Sequence, residues 1–271
     1  FMRHGVPRFG IAPLTAMYWY SERDHVIARD WRPEIHDSDG LALLTGAGER
    51  LWRPLANPQR VTMSGFMDEN PRGFGLIQRD RDFENYLDDG VWYDRRPSAW
   101  VTPLGDWGRG SVRLLEIPTD DETFDNIVAF WEPETTPEPG EEVAFAWRID
   151  WVETDPDSGM GRVVATRTGE GGIPGQPGPE GSVKYVVDFE GGPLADLPRE
   201  AEVRANVETT VGRLEAVTAY QVVGTNRWRM IFDLEDAQGQ AADLRAFLSL
   251  DGAPLTETWI ALSEPETGRP A

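Results

Sequence analysis

The sequence contains no cysteine, so disulfide staples, thiolate metal ligands and cysteine nucleophiles are excluded. Histidine is nearly as scarce. The three present, His4, His25 and His36, stand in no HExxH or comparable spacing and give little support for a catalytic zinc. Lysine occurs once, at Lys184, and arginine supplies the rest of the basic residues, which reads as coding bias in a GC-rich genome. No apolar run approaches the roughly 18 residues that span a bilayer, so membrane insertion is not expected, and no charged-then-apolar signal sits at the front. Also missing are a GxSxG elbow, a GxGxxG turn opening a helix and, within the glycine-rich stretch 169–181, a GxxxxGK[ST] phosphate cradle.

Positive charge is short too. Asp+Glu 47 against Lys+Arg 26 leaves a net charge of −21. Such a surface repels phosphate backbones and anionic headgroups, which argues against nucleic acid and membrane surfaces and for a neutral or cationic partner.

What is present fits an all-β chain. At 271 residues, with 39% hydrophobic and 10% aromatic content, it is long for one domain and comfortable for two. Short apolar runs at 9–20, 52–57, 61–67, 73–78, 99–101, 112–117 and 127–131 read as strands or buried entries to them, with no sustained period near 3.6. The best helical candidate is Arg79 to Trp92, cut short by Asp88, Asp89 and Gly90. At 132–142 (EPETTPEPGEE) proline and glutamate replace every large apolar residue, the composition of a stiff linker. Beyond it Phe145, Trp147, Ile149 and Trp151 alternate onto one side, and seven further strand-like runs follow to 262. The expected organisation is therefore 1–131 as part of a large β-sandwich, 132–142 as linker, and 143–271 as a small immunoglobulin-like β-sandwich.

Between Arg72 and Trp131 the chain crowds aromatics, arginines and carboxylates between apolar runs, the composition of a polar groove on a β-scaffold. Glycosidic bonds need one protonated acid at the leaving oxygen and a second carboxylate to activate water, with no metal or cofactor. Sugars also stack on aromatic faces, and Trp92, Tyr93, Trp100 and Trp107 are available. Each has a structural reading as well, because most Trp residues in a β-rich protein are packing. The carboxylates are equally open: Asp120-Asp121-Glu122 with Asp125 reads as a solvated loop, and His36-Asp37-Ser38-Asp39-Gly40 as a tight turn.

The strings APLTAMYW, RPEIHDSDGL, WRPLANP, GFGLIQRDRDF, RRPSAWVTPLGDWGRGSV and EIPTDDETFDNIVAFW resemble the osmoregulated periplasmic glucan biosynthesis proteins G and D, the MdoG family. The likeness is dense through Trp131 and looser beyond Glu141, where SVKYVVDF and LTETWIAL still match. It implies a periplasmic protein with a large β-sandwich carrying a glucan cleft, a linker and an immunoglobulin-like domain. It also implies a further block ahead of this segment, so a missing N-terminal segment or partner chain is expected.

By the same resemblance the partner is β-1,2-glucan, and the activity is an inverting endo-β-1,2-glucanase or a related transglycosylase. The alternative is a non-catalytic accessory that binds glucan and assists a membrane glucan synthase; a β-sandwich that binds sugar without turnover is a third reading. Matched residue by residue, the general acid falls on Asp125 and the base-side aspartate on Asp37, with Tyr93 and Glu122 lining the cleft. Trp92, Arg96 and Trp107 complete the substrate-binding candidates. No metal or cofactor is implied. Asp125 is expected to be protonated at neutral pH through burial against Trp131 or Phe130 and through proximity to Glu122.

Overall fold

The structure is a computed structural model that describes residues 8–22, 30–156, 158–173 and 175–264. His4 and His25 lie outside the described residues. The chain is all-β, as expected, and divides into two compact units at Pro156/Asp157.

The first unit holds two antiparallel sheets. In one, β1 (Ile11–Ala16) pairs with β10 (Ile127–Pro133), then β9 (Arg109–Glu116) and β6 (Thr62–Glu69). In the other the order is β5 (Arg50–Pro54), β4 (Gly40–Leu44), β7 (Gly73–Ile77), β8 (Ser98–Leu104) and β11 (Ala146–Val152). The apolar runs GLALL and GFGLI become β4 and β7, covered on both faces because they are central strands. Glycine lets them lie under large rings: a Cβ at Gly40 would come within 2.1 Å of the Trp52 indole. A two-stranded ribbon, β2 (Tyr18–Tyr20) with β3 (Ile35–His36), continues from the end of β1 and carries the chain toward Asp37.

Two features differ from the sequence reading. Of Arg79 to Trp92 only one turn is helical, α1 (Phe83–Tyr86), capped by the Asp82 carboxylate on the Glu84 N–H at 3.0 Å and ended by Leu87 in the left-handed region at φ 55°. The expected linker begins inside β10, and β11, expected to open the second domain, pairs with β8 from Ala146↔Leu104 to Val152↔Ser98. Period-two alternation identifies a strand but not the edge that will receive it, and β8 offered that edge.

The second unit is a sandwich of two antiparallel sheets. One runs β12 (Arg162–Glu170), β15 (Val183–Glu190), β18 (Trp228–Glu235), β17 (Arg213–Gln221). The other runs β16 (Arg204–Thr209), β19 (Ala242–Leu250), β21 (Thr258–Ser263), with β20 (Ala253–Pro254) also on β19. The hairpin β13 (Gly172–Ile173) and β14 (Gln176–Pro177) forms in the glycine-rich loop. Trp259 fills the space between the sheets, edge-on to Tyr185 and Phe232 at 5.7 and 6.1 Å, while its indole N–H donates to Thr166 Oγ1 at 3.1 Å.

Candidate functional site

The site assembles around the passage from β1 to β2. Thr15 and Met17 are two residues apart on this extended stretch. The Thr15 hydroxyl lies 2.7 Å from Asp125 Oδ2, and the Met17 N–H donates to Asp37 Oδ1 at 2.8 Å. A second bond, from the Asp37 N–H to Met17 O at 3.0 Å, closes the pair. At about 3.3 Å per residue the two anchors stand about 7 Å apart along the strand.

Each aspartate is placed by its sequence neighbours. Asp125 ends the loop between β9 and β10, and Asn126 beside it is fully buried. Asn126 Oδ1 accepts from the Tyr18 N–H at 2.8 Å, and its amide donates to Tyr18 O and Ile117 O at 2.9 Å each. Asn57 fastens the start of the same loop, donating to Thr119 O at 2.7 Å and accepting from the Thr119 N–H at 3.0 Å. Asp37 follows β3, whose His36 is enclosed between Tyr18 and Tyr86.

Their environments differ. Burial pushes the Asp37 carboxyl above the usual carboxylate range and the nearby Asp125 charge adds to this, while the Met17 N–H, Arg96 and His36 oppose it. Asp125 is exposed. Trp131 lies six residues further along β10, about 20 Å away, and Phe130 packs over Gly10. Neither ring covers Asp125, contrary to the expectation from sequence.

Tyr93 and Glu122 do meet. The Tyr93 hydroxyl donates to Glu122 Oε2 at 2.7 Å, and burial together with that carboxylate pushes the phenol well above its ordinary range. Glu122 is shared with Arg32, whose guanidinium reaches both of its oxygens at 3.0 and 3.2 Å and also Asp88 at 2.7 Å and Asp30 at 3.0 Å. Arg96 sits over the Tyr93 ring at 5.5 Å, and its charge is felt at Asp37. Trp92 adopts φ 58°, uncommon for a bulky residue, which leaves its ring 41% exposed under the Arg95 guanidinium at 4.3 Å.

Trp107 is not brought to this group. It is buried at 5% exposure against Trp131, Phe145 and Trp147, and its indole N–H donates to Ala146 O at 3.2 Å. Trp131 is at the far end of β10, so Trp107 packs the sheet there. Thr15, Arg32, Asn57 and Asn126 were not found by sequence reasoning; the only signal was that Asn126 adjoins Asp125. Among the described residues no group of three or more His, Asp or Glu side chains is placed to hold a metal ion.

A profile described as "Periplasmic glucan biosynthesis protein, MdoG" matches residues 1–262. The chain belongs to this family. It is similar to "Glucans biosynthesis protein D 2" of Ralstonia nicotianae, 50% identical over 268 residues that cover 98% of this chain and 50% of the relative. "Glucans biosynthesis protein D" of Stenotrophomonas maltophilia is 50% identical over 272 residues, 99% of this chain and 51% of that one. "Probable glucans biosynthesis protein D" of Shewanella oneidensis is 49% identical over 262 residues, 95% of this chain and 48% of that one. The MdoG-family chain thus spans about half the length of these curated relatives. No helix of the described residues is long and apolar enough to cross a membrane.

Proposed function

We propose that this MdoG-family chain carries the catalytic pair of a periplasmic inverting endo-β-1,2-glucanase or related transglycosylase, with Asp125 as general acid and Asp37 as general base. The observation that carries the reading is the anchoring of both aspartates from Thr15 and Met17 on one stretch. The two carboxylates are close enough for the Asp125 charge to be felt at Asp37, and in this reading they leave between them the room for an attacking water that inversion requires.

In this reading Asp125 donates its proton to the leaving glycosidic oxygen, and a bound glucan supplies the cover that the protein does not. Water attacks from the opposite face and passes its proton to Asp37 through a water or a sugar hydroxyl. Tyr93, Glu122 and Arg96 orient the sugar, and Trp92 offers a ring face at the rim. The Arg32 cluster holds Glu122 so that its second partner, Tyr93, keeps one rotamer. The neutral polymer is indifferent to the −21 charge.

Aspartate-to-asparagine variants and a change of leaving group test the roles. Asp125→Asn should cut cleavage of linear β-1,2-glucan by about a hundredfold or more, with glucan binding kept. An aryl glucan oligosaccharide with an acidic phenol leaving group needs no proton donor, so it should restore turnover in Asp125→Asn but not in Asp37→Asn. Unchanged glucan with the wild-type protein would remove the enzyme reading in favour of a glucan-binding accessory to a membrane synthase.

A further inference from the structure

Among the buried titratable groups this mechanism leaves unused is His36. It is completely enclosed, stacked on Tyr18 at 5.5 Å between ring centroids and edge-on to Tyr86 at 5.2 Å. Nδ1 lies 2.9 Å from Gln78 Oε1, and Nε2 lies 2.9 Å from Glu34 Oε2. The Gln78 amide has one orientation, because its nitrogen faces His36 O at 3.0 Å, Tyr93 O at 3.1 Å and the Tyr86 hydroxyl at 2.9 Å, three oxygens that share its two N–H groups. Its oxygen therefore faces Nδ1, which must carry a proton. Nε2 faces a buried carboxylate, the natural acceptor of a second proton from the ring.

The same amide ties two parts of the site together. It bonds the carbonyl of His36, the residue before Asp37, and the carbonyl of Tyr93. His36 thus stands directly behind the candidate base and is braced against the segment that presents Tyr93. Asp37 needs such support, since burial and Asp125 both favour its protonated form.

We infer that His36 is a positioning residue: a buried ring, bonded at both nitrogens, that fixes the Asp37 segment against the Tyr93 segment through Gln78 and adds, beside Arg96, to the positive charge that helps keep the Asp37 carboxylate able to accept a proton. This rests on reading Asp37 as the base. The groups facing His36 are Glu34 and Asp39 on its own segment, Asp80 and Tyr86 from the stretch after β7, and Tyr18 from β2. Those facing Asp37 are His36, Asp125 and Arg96. Burial opposes charge on His36, but Glu34, Asp39 and Gln78 outweigh it and push its proton loss up to about 9.

The test is NMR on the isotope-labelled protein, read independently of activity. In the wild type both His36 ring nitrogens should be protonated at pH 7.5 and the Asp37 carboxyl ionised at pH 7; a neutral ring or a protonated Asp37 overturns the inference. In His36→Gln the midpoint of Asp37 should rise by roughly half a pH unit, and the acid limb of glucan cleavage should move with it. A folded variant with an unmoved Asp37 midpoint overturns it as well. Where His36→Gln does not fold, Glu34→Gln gives a further arm: proton loss from His36 should fall by more than about one pH unit, and an unchanged value counts against the Glu34 pairing. A wild type that meets the NMR expectations but cleaves no glucan leaves the charge relation standing and removes only the glucanase reading.

Discussion

Thr15 and Asp125 share a hydrogen bond of 2.7 Å across 110 residues of sequence, and it holds the proposed acid over the strand that also holds Asp37. Because the bond is exposed, it acts on rotamer choice more than on stability. Thr15→Val keeps the shape and strand propensity while removing the hydroxyl. Turnover of β-1,2-glucan should fall about three- to tenfold with KM nearly unchanged. A full steady-state analysis checks this, and an unaltered kcat would show that substrate alone positions Asp125.

Glu122 divides its oxygens between the Tyr93 hydroxyl and Arg32. Glu122→Gln preserves volume but weakens both bonds, while Arg32 retains Asp30 and Asp88. Glucan turnover should drop about tenfold, whereas Tm should fall by no more than about 3 °C, because the lost ion pair is partly exposed. Calorimetry beside the cleavage assay separates the two; a Tm loss several times larger would make Glu122 chiefly a structural residue.

Buried groups with raised pKa values make stability fall as pH rises, Asp39 and His36 most of all. Burial, only partly offset by His36, Arg79 and backbone N–H groups, pushes the Asp39 carboxyl up to about 6. A carboxyl with a raised folded pKa binds its proton more tightly in the folded state, so its contribution fades as pH climbs from the ordinary 3.8 through 6. His36, raised from 6.5 to about 9, contributes fully below 6.5 and loses that contribution as pH rises through 9. At the acid end Asp155 works the other way: burial would raise it, but Arg79 and Arg50 hold it below the usual range, so its contribution disappears as pH falls beneath 3.8. Thermal stability should therefore be highest at about pH 4 and decline in two steps above it, the first as Asp39 ionises and the second as His36 loses its proton. Scanning calorimetry from pH 3 to 9.5 on wild type and His36→Gln checks it, and the variant should lose the decline between 6.5 and 9.

In the second unit Asp188 accepts from Arg229 Nε and Nη2 at 2.7 and 2.8 Å and from Arg167 at 3.1 Å. Burial would raise its pKa, but Arg229 and Arg167 outweigh that and hold it below the usual carboxylate range. Asp188→Asn leaves Arg229 without a charge partner on a partly buried strand and should cost about 2 kcal/mol, below the full penalty of a sealed pair because both arginines touch solvent. The difference from wild type should shrink as pH drops beneath 3.8, where the native carboxyl is protonated in turn. Urea titrations at pH 7 and pH 3 read both values.

The strands were legible because each writes its own signal: alternation in VAFAWRIDW, continuous apolar runs in GLALL and GFGLI, turn residues between. Their partners were not. The stretch 132–142 has a linker's composition, yet it connects strands of the same unit, because proline and glutamate report exposure and not domain membership. Asp125 and Asp37 were visible only through family resemblance, since in composition they were a loop and a turn. Trp107 was misplaced because an indole that packs a sheet end and one that stacks on sugar look alike in sequence. Arg32 and Asn126 went unseen because the groups they bind, Glu122 and Tyr18, lie 90 and 108 residues away.

Asn126 gives this arrangement an evolutionary consequence. Its side-chain amide takes over, toward Tyr18 and Ile117, the hydrogen bonds that a main-chain peptide group would otherwise make. The place where the loop rejoins the sheet is therefore pinned by that amide together with the bond from the Ile117 N–H to Asn126 O at 2.9 Å. Changes of length between Thr119 and Asp121 can be absorbed in the loop while Asp125 departs from the same point. Length variation is thus expected to be tolerated in that interval, with the amide acting as the fixed pin around which it occurs.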